Sequence, residues 1–163
     1  MISMEAYLNR LKGKRAAVIG IGVSNTPLIR LLLAAGIQTV ACDKNPRESF
    51  GPLADELEQL GAELRLGPNY LDDLNQDVIF RTPGMHPDTP ALVRAREHGS
   101  LVTSEMEAFF QVCPCKIIAV TGSDGKSTTT SLIAALLKAQ GKRCHLGGNI
   151  GRPLLPDIEK IEQ

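Results

Sequence analysis

The residues with the clearest chemical potential are Thr121-Gly122-Ser123-Asp124-Gly125-Lys126-Ser127-Thr128. Small residues in such a run let successive backbone N–H groups converge on an anion. Lys126 adds a fixed positive charge for the β- and γ-phosphates of a nucleotide, and Ser127 or Thr128 offers a hydroxyl to Mg²⁺. The chemistry implied is binding of ATP with Mg²⁺. The run is a shortened form of the usual phosphate loop, because Val120 stands where the first glycine is expected. A bland Gly-rich turn with a solvated lysine leaves the Gly-Lys-Ser-Thr order unexplained.

A second candidate lies near the N-terminus, at Gly20-Ile21-Gly22-Val23-Ser24-Asn25. Gly20 permits a tight turn, and Gly22 lets a pyrophosphate approach the backbone. The N–H groups of Val23 and Ser24 would face the anion at a helix N-terminus. Asn25 replaces the third glycine of the dinucleotide fingerprint. Asp43 follows about twenty residues beyond Gly22, where such folds place an acid on a ribose. The competing reading is a strand–helix turn without a ligand. Two smaller clusters, Thr82-Pro83-Gly84 and Gly147-Gly148-Asn149-Ile150-Gly151, suit close approach of a ligand to the backbone or plain turns.

These loops need elements to hold them. Short β-branched runs alternate with helical stretches. Strands are predicted at 15–19, 39–43, 63–66, 78–81 and 101–103, and helices at 24–35, 53–60, 89–98 and 104–112. A short surface helix at the N-terminus would carry Met4, Leu8 and Leu11 on one face. The alternation implies an α/β fold, a Rossmann-like parallel sheet with helices on both faces. Cys113-Pro114-Cys115 interrupts the pattern. A new strand at 116–121, a long helix with Leu132, Ile133, Leu136 and Leu137 on one face, and a strand ending at Leu146 are predicted after it. We therefore divide the chain into a Rossmann-like domain at 1–113 and the beginning of a P-loop α/β ATPase domain at 114–163. Pro156 to Gln163 reads as the start of a helix, so the chain is expected to be a fragment.

Composition limits the partners. Eighteen Lys and Arg balance 18 Asp and Glu, and there are two Tyr, four Phe and no Trp. A neutral chain poor in aromatics is not built to bind nucleic acid. No apolar run reaches membrane-spanning length, and no signal-peptide core is present. A cytoplasmic protein is expected. The cysteines, Cys42, Cys113, Cys115 and Cys144, lack the spacing of a zinc site or a C-x-x-C pair and read as four reduced thiols. His86, His98 and His145 receive no role.

Taken together, TGSDGKSTTT at 121–130, GIGVS at 20–24, Asp43 at a strand end, Thr82-Pro83-Gly84 and GGNIG at 147–151 resemble the Mur ligases, the ATP-dependent enzymes that build the peptidoglycan peptide. Within that family the resemblance is to the D-glutamate-adding branch. It implies that Gly22, Val23 and Ser24 hold a UDP diphosphate, that Asp43 and Lys44 meet the uracil, and that Thr82, Pro83 and Gly84 line the nucleotide-sugar cleft. Asn149 would reach the diphosphate, and Gly122, Ser123, Asp124, Gly125, Lys126, Ser127 and Thr128 would bind ATP, with Mg²⁺ at Ser127. Lys126 would stabilise the transferred phosphoryl group. The implied substrates are UDP-N-acetylmuramoyl-L-alanine and D-glutamate, joined through an acyl phosphate. Asp124 stands where the family more often has Asn, placing negative charge among phosphate ligands. The family's further metal-binding acid and histidine, its carbamylated lysine and its C-terminal domain would lie past Gln163, so the fragment is expected to be inactive alone. Other readings are a different Mur-type or folylpolyglutamate-type ligase, an NAD-binding oxidoreductase or a nucleotide sensor. The Gly-Lys-Ser-Thr order argues against the folate enzyme, and the NAD reading does not account for it.

Overall fold

The computed structural model describes residues 2–148 and 153–161. Asn149, and with it Ile150 and Gly151, lies outside the described residues. Five strands, β1 (Arg15–Ile19), β2 (Gln38–Asp43), β3 (Glu63–Leu66), β4 (Val78–Phe80) and β5 (Leu101–Thr103), form one sheet in the order β3-β2-β1-β4-β5. Every pairing is parallel, with Ala17 opposite Val40 on one side and Ile79 on the other. Helices α1 (Met4–Leu11), α2 (Asn25–Ala34), α3 (Pro52–Gln59), α4 (Pro90–Glu97) and α5 (Glu105–Val112) accompany them. These elements lie within one to two residues of the ranges read from the sequence.

β1 is central and covered on both faces, which explains its unbroken apolar run. Alternate residues feed different cores. Ala16 and Val18 pack with Leu28 and Leu32 of α2 and Phe109 of α5, whereas Ala17 and Ile19 pack with Leu92 of α4. Caps set the helix ends. The Ser104 hydroxyl accepts the Glu107 N–H at 3.2 Å, and the Ser3 hydroxyl accepts the Ala6 N–H at 3.1 Å. On α1, Tyr7 is buried together with Leu11, so the helix is anchored to the core by a residue outside the Met4/Leu8/Leu11 stripe. The Tyr7 hydroxyl is pushed up to about 12 by burial and then by Glu107.

After α5 the sequence reading and the structure part. Residues 116–121 make no strand, and Ile117 and Ile118 are 40% and 52% exposed. No strand is found at 142–146 either. Helix α6 (Lys126–Ala139) starts and stops as the pattern predicts, yet Leu132 and Leu136 face outward at 59% and 65% exposure. The reason is common to all three. A strand requires a neighbour to receive its N–H and C=O groups, and an apolar stripe requires an opposing layer. Among the described residues no ladder partner is found for these segments, and α6 is buried only on the side of Ala134. Residues 155–160 form a 3₁₀ turn rather than the beginning of an α-helix. Leu155, Ile158 and Ile161 join the core beside α2 and α5, and the Leu155 N–H donates to the buried Glu105 carboxylate at 3.2 Å.

Candidate functional site

The strand order reverses between β1 and β4, and a cleft of roughly 780 Å³ opens at the carboxyl ends of these strands. Open parallel sheets bind ligands at such a switch point, and the volume suits a small molecule. The glycine turn after β1 forms one wall. Gly20 has φ +93°, and its N–H donates to Cys42 O at 2.7 Å. A Cβ there would lie 3.2 Å from Thr82 Cβ, so the turn and the loop after β4 touch only because residue 20 is glycine. At Gly22 a Cβ would meet nothing within 4 Å, which leaves the space above it open to a ligand.

Asp43 ties the turn in place. One carboxylate oxygen accepts the Ile21 N–H at 2.7 Å and the other accepts the Asn45 N–H at 2.9 Å. The side chain is buried. Its structural part is to shape two loops, in addition to any contact it offers a ribose or a base. Asn25 makes a tie that sequence reasoning missed. Its amide Nδ2 donates to Ile19 O at 2.8 Å, joining the first turn of α2 to the end of β1. That is the position where the glycine fingerprint demands close helix–strand packing, so the signal was its place in the motif. No acceptor among the described residues is assigned to the N–H groups of Gly22, Val23 or Ser24. They remain available to an anion at the positive end of α2.

Lys44, Thr82 and Gly84 line the same cleft, whereas Pro83 is not part of the lining and serves the turn in which Met85 N–H reaches Thr82 O at 3.0 Å. Asn45, Tyr70, Met85 and His86 also line it without having been singled out. Tyr70 and Met85 come from loops with no local chemical signature, and only folding brings them to Gly22.

The second glycine loop is elsewhere. Gly122 and Gly125 have φ +151° and +73°, and Gly125 caps α6 in the left-handed conformation. Lys126 folds back, donating from Nζ to the carbonyls of Gly122 and Ser123. Ser123, Asp124, Ser127 and Thr128 are exposed. Lys126 and Ser127 border a second groove, roughly 760 Å³, whose walls include Phe110, Ile117, Ile118 and Leu137. None of its lining residues belongs to the first cleft. The loop fits a nucleotide phosphate in its donor set: a helix N-terminus, a lysine already at the loop and the exposed hydroxyls of Ser123, Ser127 and Thr128. Among the described residues no group of three His, Cys, Asp or Glu is arranged to hold a metal ion, and no helix is long and apolar enough to cross a membrane.

No family model matches the chain. Over 154 residues it is 51% identical to the UDP-N-acetylmuramoylalanine–D-glutamate ligase of Clostridium botulinum, a match covering 94% of the chain and 34% of that relative. The protein of the same name from Ruminiclostridium cellulolyticum is 50% identical over 161 residues, covering 98% and 35%. Over nearly its whole length the chain is similar to these Mur ligases. It spans about a third of the length of the curated relatives it matches. Solved Mur ligase structures share its fold. A murein peptide ligase from Psychrobacter arcticus superposes with a TM-score of 0.52 at 25% identity, covering 79% of the chain and 27% of that protein. The UDP-N-acetylmuramate-alanine ligase of Thermotoga maritima gives a TM-score of 0.50 at 25% identity, covering 79% and 30%. A match over 94% of this chain necessarily includes both glycine loops.

Proposed function

We propose that this chain carries the UDP-sugar cleft and the ATP loop of a cytoplasmic ligase that adds D-glutamate to UDP-N-acetylmuramoyl-L-alanine. The observation that carries the reading is the 51% identity to a ligase of that name, extending through both glycine loops. In this reading residues 1–113 are the nucleotide-sugar domain and 114–163 open the ATP-binding domain. Gly22, Val23 and Ser24 hold the diphosphate through backbone N–H groups. Lys44 meets the uracil beside Asp43, whose carboxylate keeps both neighbouring loops in register. Thr82, Pro83 and Gly84 bound the sugar, and Asn149 reaches the diphosphate.

Gly122 to Thr128 receive the phosphates of ATP, and Ser127 is the ligand for Mg²⁺. To do so Lys126 would give up its bonds to the Gly122 and Ser123 carbonyls for phosphate oxygens. When bound, ATP supplies the leaving group that lets a carboxylate accept an amine. The chain's own contribution is to fix phosphate position and to neutralise charge with Lys126. Asp124 opposes that charge from an exposed position.

Titration of the isotope-labelled chain with UDP tests the assignment. Amide signals of Gly22, Val23, Ser24 and Asp43 are expected to shift with UDP and to respond weakly to NAD. Tighter binding of NAD than of UDP at those amides would transfer the cleft to the oxidoreductase reading.

A further inference from the structure

Cys113 and Cys115 lie where α5 ends and residues 116–121 lead to the second glycine loop. Their sulfurs are 3.6 Å apart, and the Cys113 thiol also points at the Cys115 carbonyl. That separation is longer than a disulfide bond of about 2.05 Å and within reach of a side-chain torsion. Pro114 between them fixes its own φ near −65° and holds the preceding residue extended. Cys113 accordingly has φ −63° and ψ 119°. Much of the chain entropy that ring closure would cost is already spent. Cys113 is buried, whereas Cys115 is partly open and borders the apolar groove together with Cys144.

We propose that Cys113 and Cys115 form a reversible dithiol–disulfide modification site, closed by a low-molecular-weight disulfide, at the junction between the parallel sheet and the second glycine loop. The more accessible Cys115 thiolate attacks one sulfur of the reagent, forming a mixed disulfide and releasing one thiol. Cys113 then loses its proton and attacks Cys115 Sγ, releasing the second thiol. Two S–H bonds are lost and one S–S bond is formed. The two electrons and both protons leave with the reagent, now two thiols. A ring spanning a single intervening residue constrains little of the unfolded chain and is strained, so the bond is labile rather than structural. Closure fixes the path of the chain out of α5. The inference is independent of the proposed ligase function, since it concerns neither cleft's ligand.

Oxidation of the full chain with excess oxidised glutathione, followed by alkylation, trypsin and mass spectrometry, tests the site. Both cysteines fall in the peptide 97–116, whereas Cys144 begins another. The expected result is loss of two hydrogens from peptide 97–116 without alkylation, a fall from four free thiols to two, and full recovery with dithiothreitol. C144S should close equally well, and C113S should stop at a glutathione adduct on Cys115. Closure should be faster at pH 9 than at pH 7, because burial and then the Cys113 thiol hold the Cys115 thiol above its ordinary range. Cys42, pushed up to about 11 chiefly by burial, should stay reduced. Alkylation of both Cys113 and Cys115 after oxidation, or a link from Cys115 to the Cys144 peptide, would overturn the proposal.

Discussion

The chain contains two glycine turns that open helices, at residues 20–25 and 122–128, and they differ in what holds them. The first follows the central strand of a five-stranded sheet and is tied by Asp43, Asn25 and contact with Thr82. The second follows a segment with no ladder partner among the described residues, and its lysine is bonded to its own loop. The same local grammar therefore yields a rigid cradle in one place and an exposed one in the other. An anion site needs converging N–H groups, and convergence is only as firm as the layer beneath.

Hydrogen exchange should separate the two most strongly. Amides of Ala17 and Val18 are bonded inside the sheet and should open only with global unfolding, which is worth about 5 kcal/mol or more. Ile117 to Val120 should exchange orders of magnitude faster; equal protection in a monomer would remove the contrast. Side-chain truncation gives the next largest difference. Phe80→Ala, at a fully buried site, should cost about 3–5 kcal/mol in urea denaturation. Leu136→Ala should stay within about 0.5 kcal/mol, since that side chain is 65% exposed.

Loop ties come third. Asp43→Ala orphans the N–H groups of Ile21 and Asn45 and should cost about 1–3 kcal/mol while weakening UDP binding. Ser127→Ala should leave stability unchanged and affect only binding of ATP with Mg²⁺, measured by calorimetry. Gly20→Ala should cost about 1–2 kcal/mol for its left-handed backbone, before the contact with Thr82 is counted. Gly22→Ala, with open space around it, should spare stability and weaken UDP binding.

The smallest effect is a pH dependence. Burial raises the Glu105 pKa in the folded protein, and the Leu155 N–H only partly offsets this. The folded state therefore binds the proton more tightly than the unfolded chain. This group's stabilisation is complete below its unfolded pKa and is lost as pH rises through the folded value. Glu105→Gln, which retains an acceptor for Leu155, should flatten that slope and leave the protein no less stable at pH 7. Glu56 and Glu58 behave oppositely, because hydrogen bonds from Arg30 and Arg47 lower their pKa values.

Much of the first region could be read from residues alone. Glycines at 36, 61 and 99 mark helix ends because each adopts positive φ there, and the β-branched runs mark strands. Gly22 and Asp43 stand out by their places after strands, whereas Lys44 enters only through the family resemblance and Thr82 and Gly84 read equally well as a plain turn; all five line one cleft. Asn45, Tyr70 and Met85 do not stand out, since nothing in their local sequence signals a ligand. The strand at 116–121 illustrates the opposite error. Its β-branched pattern is sound, but pattern describes a preference, and pairing requires a partner.

By itself, then, the sequence determined the periodicities, the caps and the two glycine turns, because these depend on interactions within a few residues. Tertiary structure decided which turn is braced, since Asp43 reaches Ile21 only when β1 and β2 pair. It also decided that Leu155, Ile158 and Ile161 return to the first core. Those outcomes depend on contacts between residues far apart in the chain, and no local pattern encodes them.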